Sequence, residues 1–249
     1  MSKRQEIRER RQRQQRRNRI LMIALVAGGV LLIAFAFVLP GIRQTGVLGT
    51  PTEVPIVAIT PRALTAPMSG VTMGDPNAPV KMDVWEDFQC SGCMYYTDNI
   101  EPQIVQSYIE TGKVYYTFHF FPFIDGGAGE SHQAANAALC ANEQGHFWDY
   151  HDILFANWTG ENVGAYKDTR LVAFAQQLGL DMTAFNKCFQ ANTYADQINQ
   201  DYQAGSAKGV PPTPAIFVNG NVVVSSQGQN YIASVADLSA VIDAALAGK

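Results

Sequence analysis

Hydrophobic and polar positions divide the chain into one long apolar run, an aperiodic stretch, and a series of short segments whose period alternates between two and about 3.6 residues. From Ile20 to Leu39, twenty residues pass without a charged or strongly polar side chain. At about 1.5 Å of helical rise per residue this run spans roughly 30 Å, the hydrocarbon thickness of a bilayer. Residues 41 to about 70 are rich in Gly, Pro and Thr and keep no period, as an extended linker would. After the turn cluster Gly74 to Pro79, Val80 to Trp85 alternates apolar with polar and predicts a strand. Met94 to Ile109 has apolar positions at helical intervals through Ile100, Ile104 and Tyr108, and Lys113 to Phe121 is strongly β-prone. The opening unit is therefore strand, helix, strand.

Helical spacing then dominates Ser131 to Glu143, Phe147 to Asn157, Thr169 to Leu178, Thr183 to Gln190 and Tyr194 to Ala207. A strand pattern returns at Ala215 to Val218, turns at Asn219-Gly220 and resumes at Val222 to Val224, and Asn-Gly between apolar runs is a strong hairpin signal. Ser234 to Ala247 predicts a final amphipathic helix. No internal repeat is present.

Charge sharpens the view of the apolar run. Residues 1 to 19 hold nine basic residues against Glu6 and Glu9, so this segment carries 9 − 2 = +7 and the remainder of the chain, from a net −4, carries −11. A basic cluster beside a transmembrane segment stays cytoplasmic, which places everything after Pro40 on the far side. The run reads as an uncleaved anchor. A cleaved signal peptide is the rival, with Ala34 and Ala36 as a small-x-small site, although its apolar stretch is usually only about 7 to 15 residues. Either way the same domain is exported. The acidic body excludes nucleic acid as a partner, because phosphates require a cationic surface. In an oxidising compartment disulfides persist, so four cysteines allow two pairs.

Cys90-Ser91-Gly92-Cys93 lies where the first strand turns into a helix. At a helix start, unpaired N–H groups and the positive end of the dipole favour a thiolate, making Cys90 the expected nucleophile and Cys93, one turn on, the resolving thiol. Half of a zinc site and a plain structural disulfide are the alternatives. No second CxxC exists, and His119, His132, His146 and His151 have no paired ligand spacing, so no metal is expected. Phe147, Trp148, Tyr150, Phe155 and Trp158, interleaved with His146, His151 and Asp152, are expected to be core packing, with both histidines on an exposed polar face.

The chain resembles the DsbA-like branch of the thioredoxin superfamily over about residues 71 to 247. Its marks are Val71 to Pro76 leading into Trp85-Glu86-Asp87-Phe88-Gln89-Cys90, the helical stretch Ala134 to Phe155, and Gly209 to Gly220 with Pro211-Pro212-Thr213-Pro214 at its centre. The resemblance implies an α/β fold: a thioredoxin-like domain of residues 71–125 and 208–249 interrupted by an all-helical insertion, 126–207, and preceded by a cytoplasmic segment (1–19), anchor (20–39) and linker (40–70). It implies that Pro214 is a cis-proline facing the cysteine pair, that Thr213 offers backbone hydrogen bonds to substrate, and that Cys140 and Cys188 form a structural disulfide, with two buried free thiols as the alternative. It implies no cofactor beyond the cysteines, disulfide formation in exported cysteine-containing proteins, and reoxidation by a quinone-linked membrane partner of the DsbB or vitamin K epoxide reductase type. A reductase or isomerase running the same exchange backwards, and a non-catalytic binding module, are the rival functions.

Two positions depart from the wider pattern. Val84, six before Cys90, stands where thioredoxin and some relatives carry a buried acid; Glu86 or Asp87 is a substitute, or an ordinary loop-side carboxylate. Ser91-Gly92 also lacks the histidine that helps depress the thiol pKa of DsbA to about 3.5, against about 7 in thioredoxin, so an intermediate acidity is expected.

Overall fold

The structure, a computed structural model, describes Met22, residues 54–125, 129–229 and 231–248. The expected membrane span at 20–39 lies outside the described residues apart from Met22. Among the described residues no helix is long and apolar enough to cross a membrane. One compact unit runs from Ile56 to the C-terminus, and it carries the site.

Its centre is a six-stranded sheet built from β1 (Met68–Ser69), β2 (Thr72–Met73), β3 (Val80–Glu86), β4 (Val114–Phe120), β5 (Ala215–Val218) and β6 (Asn221–Val222), in the order β1-β2-β4-β3-β5-β6. β3 and β4 are parallel, with Val80 opposite Val114 and Glu86 opposite Phe120, whereas β5 runs antiparallel to β3. The parallel pair needs a crossover, and it is helical: α1 (Ser91–Asn99), α2 (Glu101–Ile104) and a π-helical stretch, Val105–Ile109. The expected single helix is broken at Ile100, and Pro102 lies in the first turn of α2, where its missing N–H costs nothing.

Between β4 and β5 lie α3 (Glu130–Asn142), α4 (Phe147–Ala156), α5 (Asp168–Gln177), α6 (Met182–Gln190) and α7 (Ala195–Lys208). Helix α8 (Val235–Leu246) closes the chain, its start fixed by a capping box between Ser234 and Asp237. Cys140 of α3 and Cys188 of α6 are joined by a disulfide.

Side-chain alternation gives the sheet two different faces. Val80, Met82, Val84 and Glu86 of β3 and Val114, Tyr116, Phe118 and Phe120 of β4 point into the main core with Cys93, Tyr96 and the aromatics of α4. The opposite face holds Trp85, Ala215 and Phe217 in a smaller cluster. There α7 passes so close that a Cβ on Gly205 would sit 2.8 Å from both Trp85 and Phe121, which explains a glycine inside that helix.

The segment expected to be an extended linker packs on the domain from Ile56 onward. Ile56, Ile59 and Leu64 lie against the core, and Val57 exchanges backbone hydrogen bonds with the Asn157 side chain at 2.8 and 2.9 Å. Two short strands, β1 and β2, follow directly.

Candidate active site

Helix α1 buries Cys93, Tyr96, Thr97 and Ile100, a stripe at i, i+3, i+4 and i+7, and so presses Cys93 into the core while leaving Cys90 at the rim. Cys90 is 8% exposed and Cys93 0%. Both are free thiols. Cys90 occupies the N-cap position of α1 in extended conformation, and as a neutral thiol it makes no capping hydrogen bond. On ionising it becomes an acceptor. Hydrogen bonding from the Cys93 thiol, from Thr213 and from the N–H groups of Cys93 and Gly92 outweighs partial burial and lowers its pKa to about 6. Cys93 moves the opposite way: burial first, then the neighbouring Cys90 sulfur and Glu86, push its pKa far up. The pair is thus split into a thiol that ionises readily and a partner that holds its proton.

The Thr213-Pro214 bond is cis, and the Cys90 thiol donates to the Thr213 carbonyl across 3.3 Å. The Thr213 hydroxyl is buried with no other partner, leaving its proton for the thiolate. Gly92 makes this approach feasible. A Cβ there would lie 3.2 Å from Pro214 Cδ and 3.2 Å from the Thr213 carbonyl oxygen. Beside Pro214 a groove of about 260 Å³ runs along β5 and β6, lined by Pro211, Pro212, Val222, Val224 and Tyr231.

Of the two acids proposed to replace the one missing at Val84, geometry selects Glu86. The two positions share a face of β3, one pleat apart, so the carboxyl still enters the core near the cysteines. Burial, then Glu101 and Cys90, raise the Glu86 pKa well above the carboxylate range. Asp87 instead braces the surrounding loops, accepting from the N–H groups of Gln89 at 2.8 Å and of Phe123 and Ile124 at 3.0 Å each. The residue before Cys90 is held equally firmly. Gln89 donates to Ser131 Oγ at 2.9 Å and accepts from Asn162 N–H at 2.6 Å, and its carbonyl accepts from the Trp158 indole at 2.6 Å.

The remaining candidates separate cleanly. Phe147, Trp148, Tyr150 and Phe155 are core residues, as expected. His151 is not on an exposed face: it is 0% exposed, its ring packed against Phe88, Phe118, Phe147 and Phe155 of the core. Its Nδ1 lies 2.9 Å from Asp152 and 3.4 Å from Arg62. Arg62 was invisible as a candidate within a proline-rich stretch. It pairs with Glu101 (2.9 Å) and Asp152 (2.6 Å) and lies over the Trp148 ring. Among the described residues no group of three or more His, Cys, Asp or Glu is placed to hold a metal ion.

A family model described as Thioredoxin matches residues 67–244. A "Probable disulfide bond formation protein D" from Bacillus cereus is 26% identical over 153 residues, 61% of this chain and 70% of that protein. The Na(+)/H(+) antiporter NhaA 3 of Salinispora tropica is 31% identical over 147 residues, 59% of this chain but only 21% of the antiporter. Among solved structures, oxidised BdbD from Bacillus subtilis superposes with a TM-score of 0.63 at 23% identity, over 72% of this chain and 94% of that one. The match of the family model over most of the chain, joined to the likeness to disulfide bond formation proteins, places the protein in the thioredoxin family as a thiol-disulfide oxidoreductase of the DsbA type.

Proposed function

We propose that the protein forms disulfide bonds in exported proteins, working outside the cytoplasm on a membrane anchor at residues 20–39. The observation that carries the direction of the reaction is the pKa of Cys90, lowered to about 6. A stabilised thiolate stabilises the reduced enzyme, and an enzyme stable when reduced is an oxidant of other thiols.

In the oxidised enzyme a substrate thiolate attacks the Cys90 sulfur in line with the Cys90–Cys93 bond. The new bond joins substrate sulfur to Cys90, and the electron pair of the broken bond passes to Cys93. Buried Cys93 cannot leave as a bare thiolate, since its ionised form is strongly disfavoured. Glu86, whose hold on its proton burial strengthens, supplies the proton. A second substrate thiolate then attacks the substrate sulfur of the mixed disulfide and releases Cys90 as thiolate. The substrate leaves oxidised by two electrons and the enzyme holds the Cys90 thiolate and the Cys93 thiol. A quinone-linked membrane partner of the DsbB or vitamin K epoxide reductase type would remove those electrons, with Glu86 as carboxylate accepting the Cys93 proton. Thr213 and Pro214, with the groove beside them, would hold the substrate segment against Cys90.

The reduction potential of the Cys90-Cys93 pair, equilibrated against glutathione buffers, tests the direction. A value well above that of thioredoxin, about −270 mV, and towards that of DsbA, about −120 mV, is expected. A value at or below the thioredoxin figure would make the protein a reductase.

A further inference from the structure

The mechanism leaves a proton stranded. Cys93 is fully buried and Glu86 is 1% exposed, so neither can exchange a proton with solvent at the Cys90 rim. Behind them the core is polar. Glu86 Oε1 accepts from the Tyr116 hydroxyl at 3.4 Å, while its Oε2 has no hydrogen-bond partner among the described residues. The Tyr96 hydroxyl, one turn beyond Cys93 on the same face of α1, is equally buried and unpartnered, as is Thr97 Oγ1. Both tyrosine hydroxyls feel the charges of Glu86, Glu101 and Arg62. Buried polar groups without a protein partner are the ones internal water connects.

The far end of this chain of groups meets a crevice. Between residues 59–64 and the α1–α2 junction lies a cleft of about 710 Å³, lined by Arg62, Leu64, Thr97, Glu101, Gln106 and Asp152. Glu101 therefore faces two ways: its carboxylate is 2% exposed and clamped by Arg62, yet it forms part of the wall of a cleft that opens to water.

We propose that Tyr116, Tyr96 and Glu101 carry protons between Glu86 and this crevice, so that Cys93 exchanges its proton with solvent from behind the site while Cys90 meets substrate in front. The inference rests on the oxidoreductase mechanism above and adds its proton route. The groups that face Glu86 are Cys90 at the N-cap, Cys93 and Tyr96 from α1, Glu101 from α2 and Tyr116 from β4, and Arg62 from the segment before β1 faces Glu101 and the two tyrosines. His151 and Asp152 of α4 stand behind Arg62. Separating the two routes has a chemical consequence: a substrate seated over Cys90 does not block the proton that its own oxidation requires.

The test uses the reduced full chain and oxidised glutathione. The Cys90 thiolate attacks the reagent and releases one glutathione; Cys93 then passes its proton to Glu86, attacks the Cys90 sulfur and releases the second. Quenched-flow separates the two releases between pH 5 and 9. Tyr96→Phe removes a hydroxyl without a protein partner, so folding is expected to be untouched. The second release should slow roughly tenfold to a hundredfold, with the first release and the Cys90 titration unchanged. Glu101→Gln should do the same, with Arg62 still paired to Asp152, and imidazole buffer small enough to enter the crevice should restore part of the rate. A second release equal to the parent's at every pH in both variants overturns the relay. So does a slowing that is identical at all pH values and blind to buffer, which marks a packing defect. A parent chain that stops after the first release would overturn the oxidoreductase mechanism itself, a different and separable outcome.

Discussion

A single sulfur at the N-cap of α1 links acidity to stability and redox direction. The Cys90 thiolate is stabilised by the Cys93 thiol, Thr213 and two backbone N–H groups, and its pKa falls to about 6. Thiolate absorbance near 240 nm should titrate with a midpoint about there, and a midpoint at the free value of about 8.5 would remove the basis for an oxidase. The sign of the linked stability follows. A depressed pKa contributes stability that is present above the unfolded value and is lost as pH falls through the folded one. The dithiol form should therefore gain stability relative to the disulfide form between pH 6 and about 8.5, measured as the difference in urea midpoints. Above that window Cys93, whose pKa is raised, works the other way. Burial of Glu86 is common to both redox forms, whereas repulsion between Glu86 and the Cys90 thiolate exists only in the dithiol form and opposes part of this gain. Glu86→Gln should leave the Cys90 titration nearly in place while slowing each step that moves a proton at Cys93, by about a hundredfold.

At the scale of elements, two distant attachments hold the site's surroundings. Residues 56–66 form a strap pinned by Val57 on Asn157, by Arg62 on Glu101 and Asp152, and by Thr65 and Ala66 on the Glu110 carboxylate. Removing the arginine alone strands Glu101, which is 1% exposed, without its counter-charge. Arg62→Leu should destabilise the domain by about 3 to 5 kcal/mol in urea unfolding, and a fragment beginning at residue 70 should be weaker than one beginning at residue 54 by a similar amount. Equal stabilities would reduce the strap to a tether. The Cys140–Cys188 bond closes a sequence separation of 48 residues between α3 and α6. In the chain-entropy model its loss costs about 4 kcal/mol, so the double alanine variant should unfold at markedly lower urea while keeping the Cys90 midpoint. An altered midpoint would mean that the helical layer shapes the redox site directly.

For the whole molecule, the proposed function depends on placing the domain where thiols are oxidised. Residues 1–19 carry +7 and residues 20–39 are uniformly apolar, which is the basis for the proposed anchor. The full chain should fractionate with membranes and resist carbonate extraction, and deletion of residues 1–39 should release it. In growing cells Cys90 and Cys93 should be trapped largely as a disulfide, and removing the quinone-linked reoxidant should shift them to thiols. Persistent disulfide after that removal would sink the proposed partnership.

The place of the cysteine pair, the sheet and the helical layer were legible in the residues because each rests on a local pattern. Cys90 and Cys93 are three positions apart at a strand-to-helix turn, and the periods of β3, β4 and the helices between β4 and β5 are visible within ten residues or so. Pro214 and the Cys140–Cys188 pair followed from resemblance, not from spacing. What tertiary structure alone decided is which polar groups are buried and against what. Val84 and Glu86 point the same way on β3, but only the packing of α1 and Tyr116 over that face, 30 residues on, separates Glu86 from Asp87. Arg62 meets Glu101 across 39 residues and Asp152 across 90, and by that contact an aperiodic stretch becomes part of the domain. Periodicity reports the face a side chain takes on its own element. The partner that lowers or raises its charge comes from elements far along the chain, and no local pattern encodes that distance.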